Sequence, residues 1–576
     1  MVEMYYRILE HIRDVVKKAI HKNLIDEIDV YESEVADFSS TIAFRLSRKL
    51  KKSPIDIAFE LSKKIKPEMY VEKVEARNGY LNFYLGYEEL FPEIIREVRT
   101  RGSDYGRALD KRKRIILEHT SINPSGPVHI GRLRNSLIGD AIARILRFNG
   151  FEVETHYYVN DTGKQIAIIF QGFRDGIRPD RDIIKFYEKY KEKDDFVVFF
   201  EYVAANKRFE TDSKFADRVE SVIRRIENGD EKILDEISSI ARKCLNGQRE
   251  IFDKLNIKFD KFDFESDYIR EGRVRDVINF LKKSKYWRVT EIGSGLDLRE
   301  FGIEKKGGVS IIERSDGTSV YLTRDVAYHL EKSKLGDILL NVLGEDHKLE
   351  FLELKTILTK IYKLSIPINA IHYSFVNFEG MELSTRKGLI APVDKLIDEA
   401  IEKAEREIEK RGVASRDIAP KIGIGAIKYH ILRTAPSKPI TFRWEEALHF
   451  DGESAPYIQY AHARCCRILE KADVDIDTID VSSLKIGRLE IEERNLLFQI
   501  LRFPNVVERA GNELKPNIIA NYLYDLASCF NRFYRECQVL RTGRRIRERR
   551  LLLVDCVRII LSNGLDLLGI DAPECM

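Results

Sequence analysis

Between residues 118 and 132 the chain reads Glu118-His-Thr-Ser-Ile-Asn-Pro-Ser-Gly-Pro-Val-His129-Ile-Gly-Arg132. A carboxylate, hydroxyls, an amide, imidazoles and glycines crowd together there, too many polar groups for a plain connection. His129, placed at a helix start, can donate to a phosphate oxygen where charge develops in a transition state. Gly131 lacks a Cβ, so a flat ring can approach its backbone closely. A second stretch, Gly380-Met-Glu-Leu-Ser384-Thr385-Arg386-Lys387-Gly388, is a glycine-bounded loop with hydroxyls and two cations. Such a loop suits the clamping of a polyphosphate, with Arg and Lys acting as charges and Gly supplying mobility. Taken singly, each stretch has a plainer reading: a structural histidine in one case, an exposed basic turn in the other.

The elements that must position these groups are visible around them. Residues 115–117 read as a buried strand, and the apolar spacing of residues 133–149 predicts a helix. The first stretch is therefore a strand, a Pro/Gly loop and a helix start, the junction where α/β sheets bind nucleotides. A second strand is expected over 152–159, which makes a βαβ beginning. Residues 171–260 are charged and helical in pattern and read as an insertion that splits the nucleotide fold. Further strands are expected over 308–313, 319–322, 338–343 and 370–375. Residues 1–108 form a small α+β unit, with helices expected over 2–20, 39–50 and 55–65. Two strands there, over 70–76 and 80–84, flank the turn signal Asn78-Gly79. From residue 392 to 576 the pattern is almost wholly helical. The fold class is thus multidomain α/β, with units at 1–108, 109–391 and 392–576.

Composition narrows the class. A chain of 576 residues has length for about four structural units. Charged residues make up 33% but nearly balance, with a net charge of +3, so nucleic-acid binding is not read from net charge. The local run Arg541-Thr-Gly-Arg-Arg-Ile-Arg-Glu-Arg-Arg550 is a stronger pointer, although it suits an exposed helix face equally well. Seven irregularly spaced cysteines support neither a zinc knuckle nor a disulfide framework. No signal peptide and no apolar run of about 20 residues is evident. A soluble, cytoplasmic protein is expected, with no membrane and no structural metal.

The two motifs, about 250 residues apart and in that order, together resemble the two signatures of class I aminoacyl-tRNA synthetases, of the His-Ile-Gly-His and Lys-Met-Ser-Lys-Ser types. Their surroundings narrow the resemblance. Glu118-x-x-Ser121-x-Asn123-Pro124, Val159-Asn-Asp161-x-Gly163-x-Gln165, Tyr321-x-Thr323-Arg-Asp325 and the ending Leu568-Gly-Ile-Asp-Ala-Pro573-Glu574-x-Met576 resemble arginyl-tRNA synthetases of the archaeal type. Gly79-Tyr80-Leu-Asn82-Phe83 resembles that family's additional tRNA-binding domain. Tyr457-x-x-Tyr460-Ala-His-Ala-Arg464 and Asn521-Tyr522 resemble its anticodon-binding bundle.

The resemblance implies a Rossmann-type catalytic domain that joins L-arginine to tRNA(Arg) at the expense of ATP, through an arginyl-adenylate. It implies that Tyr321 and Asp325 hold the guanidinium, that Ser121 and Asn123 hold the amino-acid end, and that Glu118 orients the substrate. Carboxylates suit that task because they accept two parallel N–H bonds from a guanidinium, which an ammonium cannot reproduce. ATP, with Mg2+ held by phosphate oxygens and water, falls to His129, Gly131, Ser384, Thr385, Arg386 and Lys387. For tRNA, Tyr80 and Asn82 are expected at the elbow, and Tyr457, Tyr460, Arg464, Arg544 and Arg545 at the anticodon arm. A monomer is the family expectation.

Departures from the family pattern are specific. Arg132 stands where the first signature has its second His, and Glu382 and Thr385 stand where the second has lysines. His347, in Gly344-Glu-Asp-His347, stands where many relatives have a glutamine near the substrate amino group. These departures keep open a catalytically inactive RNA-binding paralogue. A class I ligase for cysteine or lysine is a further alternative, and the lack of a Cys/His zinc set argues against cysteine.

Overall fold

Five parallel strands in one sheet carry the loops that matter. The computed structural model describes residues 3–20, 27–305, 307–378, 391–411, 416–472 and 474–576.

The N-terminal unit comprises α1 (Met4–Ala19), β1 (Tyr31–Glu32), β2 (Phe38–Ser40), α2 (Ile42–Leu50), α3 (Pro54–Lys64), β3 (Val71–Arg77), β4 (Tyr80–Leu85) and α4 (Tyr87–Arg101). Its antiparallel sheet runs in the order β1-β2-β4-β3. The helix expected over 39–50 begins only at Ile42, because Phe38 to Ser40 pair with β4 as an added strand.

The middle unit opens with β5 (Arg114–Glu118), α5 (Ile130–Phe148) and β6 (Glu152–Val159). Helix α5 starts at Ile130, three residues before its apolar periodicity, because His129 caps it. The insertion follows as α6 (Lys164–Asp175), α7 (Arg181–Phe186), α8 (Asp194–Thr211), α9 (Ser213–Glu227) and α10 (Glu231–Lys254). The chain then re-enters through β7 (Lys261–Phe264), α11 (Glu265–Arg270), α12 (Arg273–Leu281), β8 (Trp287–Thr290), β9 (Gly293–Leu296) and β10 (Ser310–Arg314). Strands β8 to β10 form a small antiparallel sheet, of which only β10 was expected. The strand expected over 319–322 is absent. Ser319 makes a single bridge to Glu313, and its N–H and hydroxyl donate to Glu227, so the chain enters α13 (Tyr321–Lys332) directly.

The unit continues with β11 (Ile338–Gly344), α14 (Lys348–Thr356), β12 (Ile368–Tyr373) and β13 (Val376–Phe378). The parallel sheet has the order β12-β11-β5-β6-β7. Its first strand, β5, lies in the middle, with β6 on one side and β11 on the other. The order reverses there, and a crevice opens at the carboxyl ends of β5 and β11. A Cβ at Gly139 would lie 2.2 Å from the ring of His119, so a glycine is needed for α5 to seat against the end of β5.

The last part holds α15 (Val393–Arg411), α16 (Ala419–Leu432), β14 (Ile440–Phe442), α17 (Trp444–Ala447), α18 (Ala455–Glu470), α19 (Ile491–Glu513), α20 (Asn517–Glu536) and α21 (Arg544–Leu567). Strand β14 reaches back to pair in parallel with β13. The N-terminal unit packs on this helical part. The Tyr105 hydroxyl donates to the Ile500 carbonyl at 3.1 Å, Arg494 meets Glu88 at 2.7 Å, and Arg502 meets Glu32 at 2.8 Å. Among the described residues, no helix is long and apolar enough to cross a membrane.

Candidate active site

A cavity of about 1140 Å³ opens over the carboxyl ends of β5 and β11. Its floor is the loop from Glu118 to Arg132, and α7 and α8 of the insertion form a facing wall. The loop is built under tension. Thr120 and Ser121 hold φ of 76° and 44°, a region that non-glycine residues avoid. That backbone is pinned: the Thr120 N–H donates to Asn135 Oδ1 at 2.7 Å, and the Tyr157 hydroxyl donates to the Ile122 carbonyl at 2.9 Å. Gln248 of α10 donates to the Gly126 carbonyl at 2.8 Å, so the insertion shapes the loop as well as facing it.

At one end of the cavity stands the N-terminus of α5. His129 Nδ1 accepts the Gly131 N–H at 2.8 Å and caps the helix. That bond leaves the proton on Nε2, free to donate. Burial, and then Arg132, hold its pKa below the usual histidine value, so the ring is neutral. Gly131 serves the cap directly, since a Cβ there would meet His129 Cε1 at 2.9 Å. Arg132 is exposed and lines the cavity. The chain at 391–393 runs beside this motif: Ile130 donates to the Ala391 carbonyl at 3.0 Å, and Val393 donates to the Val128 carbonyl at 2.8 Å. The second motif, with Ser384, Thr385, Arg386 and Lys387, lies outside the described residues.

At the other end are carboxylates. Burial works against the Glu118 anion, but the Lys332 ammonium beside it holds its pKa below the ordinary glutamate value. The Lys332 ammonium donates to Glu118 Oε2 at 2.6 Å, and the Ser121 hydroxyl donates to Oε1 at 3.3 Å. Among the described residues, no hydrogen bond or ion pair reaches the Asp325 carboxylate. Burial, then Glu118 and Glu265, push its pKa up to about 8. Its neighbour on the same helix, Arg324, is committed elsewhere, to Glu265 and Glu227 at 3.2 Å each. Tyr321, one turn before Asp325, is 54% exposed and reaches over Gly163, at the rim of the same cavity.

Between the two ends lie amide and imidazole groups. Asn123 donates to Gln165 Oε1 at 3.0 Å. Asn160 Oδ1 is buried in the cavity lining with no partner among the described residues, a group that a polar ligand would satisfy. His347 lines the cavity mouth, with Nδ1 2.7 Å from Glu350. The structure thus gathers Glu118, Ser121, Asn123, His129, Arg132, Tyr321, Asp325 and His347 around one cavity.

Several cavity-shaping residues were missed in the sequence. Phe199, Tyr202 and Lys207 of α8 line the wall, and nothing local in a charged helix announces that role. Lys332 was legible in principle, because Asp325, His329 and Lys332 recur at i, i+4 and i+7 on one helical stripe.

The residues proposed for RNA divide. Tyr80 is 40% exposed and meets Phe44 edge-on at 5.1 Å. Asn82 is 2% exposed, and its Oδ1 accepts from the Ser39 hydroxyl across the β2–β4 pair, so its side chain is engaged within the sheet. By the strand's period of two it shares a face of β4 with Tyr80 and Tyr84, opposite the core residues Leu81, Phe83 and Leu85, and it lies between Ser39 and Glu75 of the flanking strands. Tyr457 packs on Tyr524 at 5.6 Å, and the Arg464 guanidinium covers the Tyr460 ring at 4.6 Å while donating to Asn531. Arg544 is exposed and paired with Glu548, and Arg545 donates to the Lys485 carbonyl. The basic run is not one surface patch, because Arg549 and Arg550 turn inward and clamp buried Glu493.

Comparison with known proteins places this geometry. Residues 94–444 match the family model described as tRNA synthetases class I (R), catalytic domain. Residues 7–85 match the arginyl tRNA synthetase N terminal domain, and 458–576 match the DALR anticodon binding domain. The chain is 40% identical to the arginine–tRNA ligase of Methanocaldococcus jannaschii, over 99% of this chain and all of the relative. It is 38% identical to that of Methanocella arvoryzae over the whole of both. Among solved structures it resembles the arginyl-tRNA synthetase of Thermus thermophilus, with a TM-score of 0.81 and 27% identity, covering 98% of this chain and 100% of that one. The Plasmodium falciparum arginyl-tRNA synthetase shares the fold, with a TM-score of 0.77, 19% identity and 99% of each chain covered.

Proposed function

The chain belongs to the class I arginine–tRNA ligases, which attach arginine to tRNA using ATP, and on that premise we propose how its residues divide the reaction. The observation that carries the reading is the polarity of one cavity: buried carboxylates at one end, a histidine-capped helix N-terminus at the other.

Asp325 and Glu118 receive the guanidinium, with the Tyr321 hydroxyl closing over it. Ser121 and Asn123 orient the amino-acid end so that its carboxylate approaches the α-phosphorus of ATP in line. Arginyl-adenylate forms and pyrophosphate leaves; a ribose hydroxyl at the tRNA 3′ end then attacks the adenylate carbonyl. No protein nucleophile is needed. Positioning and charge stabilisation lower the barrier. His129 Nε2–H meets a phosphate oxygen, with Arg132 as a cation beside it where relatives have histidine. Arg386, Lys387, Ser384 and Thr385 complete the phosphate contacts in this reading. His347 stands by the substrate amino group. Mg2+ accompanies ATP and is held by phosphate oxygens and water.

For tRNA, Tyr80 stacks at the elbow, joined by its neighbour Phe44. Residues 392–576 carry the anticodon-arm contacts, with Arg544, Tyr460 and Arg464 at the surface; 1–108 and 109–391 remain the other working units. A cytoplasmic monomer is part of the proposal, and light scattering of the purified protein checks the monomer. The reading of an inactive paralogue gains no support from relatives that are arginine–tRNA ligases along their full length.

The direct test is ATP–pyrophosphate exchange with each amino acid, with and without tRNA. Exchange with arginine alone among the amino acids is expected. Failure of arginine to support exchange under any condition sinks the proposal.

A further inference from the structure

We infer that Lys332 is a positioning residue for arginine selection: it holds Glu118 in place as the charged carboxylate of the substrate pocket, beside Asp325. This rests on the reading of Glu118 and Asp325 as the guanidinium end of the cavity.

Lys332 closes α13 and is 1% exposed. Its ammonium donates to Glu118 Oε2 at 2.6 Å and to Asn341 Oδ1 at 2.9 Å, and lies 4.4 Å from the centre of the Tyr328 ring. A lysine so placed has its donors committed and its position fixed. Asn341 is anchored in turn on β11, donating to the Asn369 carbonyl at 3.3 Å.

The electrostatic need is plain. Two neighbouring carboxylates in a buried pocket do not both ionise without compensation; one keeps a proton. A protonated carboxyl has lost its charge and part of its acceptor capacity, and grips a guanidinium poorly. The groups facing the pair are Lys332, Arg324, His329 and Tyr328 from α13, Tyr158 from β6 and Glu265 from α11. His329 is neutral, since burial and then Lys332 hold it down to about 4. Arg324 is engaged by Glu227 and Glu265. Among the described residues, that leaves Lys332 as the cation in direct contact with Glu118. Its role differs from that of a substrate ligand, because Glu118 lies between it and the cavity.

The test is arginine-dependent pyrophosphate exchange by the full-length enzyme with tRNA, from pH 6.5 to 9. Lys332→Met, Lys332→Arg, Asn341→Ala and Asp325→Asn are compared with the natural chain. Lys332→Met is expected to raise the arginine KM ~10-fold or more at pH 7, one unit of carboxylate pKa or beyond. The excess should shrink toward pH 9, where the shared proton is gone, and the ATP KM should hold within about twofold. Lys332→Arg should restore most of the loss. Asn341→Ala, which frees the ammonium without removing it, should show a smaller change with the same pH shape. An arginine KM that is unchanged in Lys332→Met, or raised equally at every pH, overturns the inference. Should Lys332→Met fail to fold, a pH-independent KM in Asn341→Ala overturns it instead. Asp325→Asn separates the two readings: if it leaves the arginine KM alone, the pocket reading fails; if it alone raises the KM, only the Lys332 inference does.

Discussion

Glu227, the last residue of α9, accepts a hydrogen bond from Arg324 at 3.2 Å and so ties the helical insertion to the residue beside Asp325. The same guanidinium donates to Glu265 and lies 5.3 Å from the centre of the Tyr321 ring. The insertion is therefore part of the frame that holds the turn of α13 bearing Tyr321 and Asp325, the turn proposed to face arginine. Replacing Arg324 with methionine strands two buried carboxylates, a loss of about 3–5 kcal/mol where one partner of a buried pair is removed. The expected result is lower thermal stability together with a raised arginine KM. A variant with normal stability and an unchanged arginine KM contradicts this coupling.

Asp325 makes the enzyme sensitive to pH in two separable ways. Its folded pKa is raised from 3.8 to about 8, by burial first. In the free enzyme the carboxyl is mostly protonated at neutrality, and binding a cationic substrate expels the proton. Arginine KM should therefore fall as pH rises from 6.5 toward 8, by up to about tenfold per unit, and level off above. Calorimetry in buffers of different ionisation enthalpy should register the released proton.

The same shift acts on stability. A carboxyl with a raised folded pKa contributes stability that is complete below its unfolded pKa and is lost as pH climbs through the folded one. Asp325→Asn removes that dependence. In the absence of arginine, the variant should gain stability relative to the natural chain between pH 4 and 8, while its arginine KM rises by roughly 10²-fold, about 2.7 kcal/mol. Thermal melts across that range check the first part; no change in the difference between the two chains would contradict it.

His129 offers a sharper kinetic signature. Its Nε2 proton is set by the cap on the Gly131 N–H. Loss of one donor to developing negative charge costs about 10²–10³ in kcat. His129→Ala should fall in that range with little change in arginine KM, whereas Arg132→Ala should act mainly on the ATP KM. Stopped-flow measurement of adenylate formation distinguishes the two.

Glu493 is a purely structural counterpart. It is fully buried and bonded by both Arg549 and Arg550. Glu493→Ala strands two cations and should cost about 3–5 kcal/mol in urea unfolding. An equal-volume apolar replacement of all three residues should recover much of it.

Much of the architecture could be read locally. Strand β6 fell where its apolar pattern placed it, and the Pro/Gly loop before His129 did mark the junction of β5 and α5. Where the reading failed, a distant partner had decided. Ser319 left its expected strand because Glu227, far away in sequence, captures its N–H and hydroxyl. Asn82 shares its face of β4 with exposed Tyr80, yet it is engaged within the sheet because the neighbouring strand brings the Ser39 hydroxyl against it. Arg549 and Arg550 left the basic patch for a carboxylate on α19.

The sequence by itself determined the residue types: a capped helix start after a buried strand, carboxylates fit for a guanidinium, and an order of motifs. Those follow from local geometry and from chemistry that each side chain carries alone. Tertiary structure decided which groups are charged and which are free. Glu118 is an anion because Lys332 reaches it from another element, and Asp325 keeps its proton up to about pH 8 because it is buried beside Glu118 with no comparable cation on it among the described residues. Ionisation depends on burial and on neighbours within a few ångströms, and those distances exist only once the sheet has brought β5, α13 and β11 together.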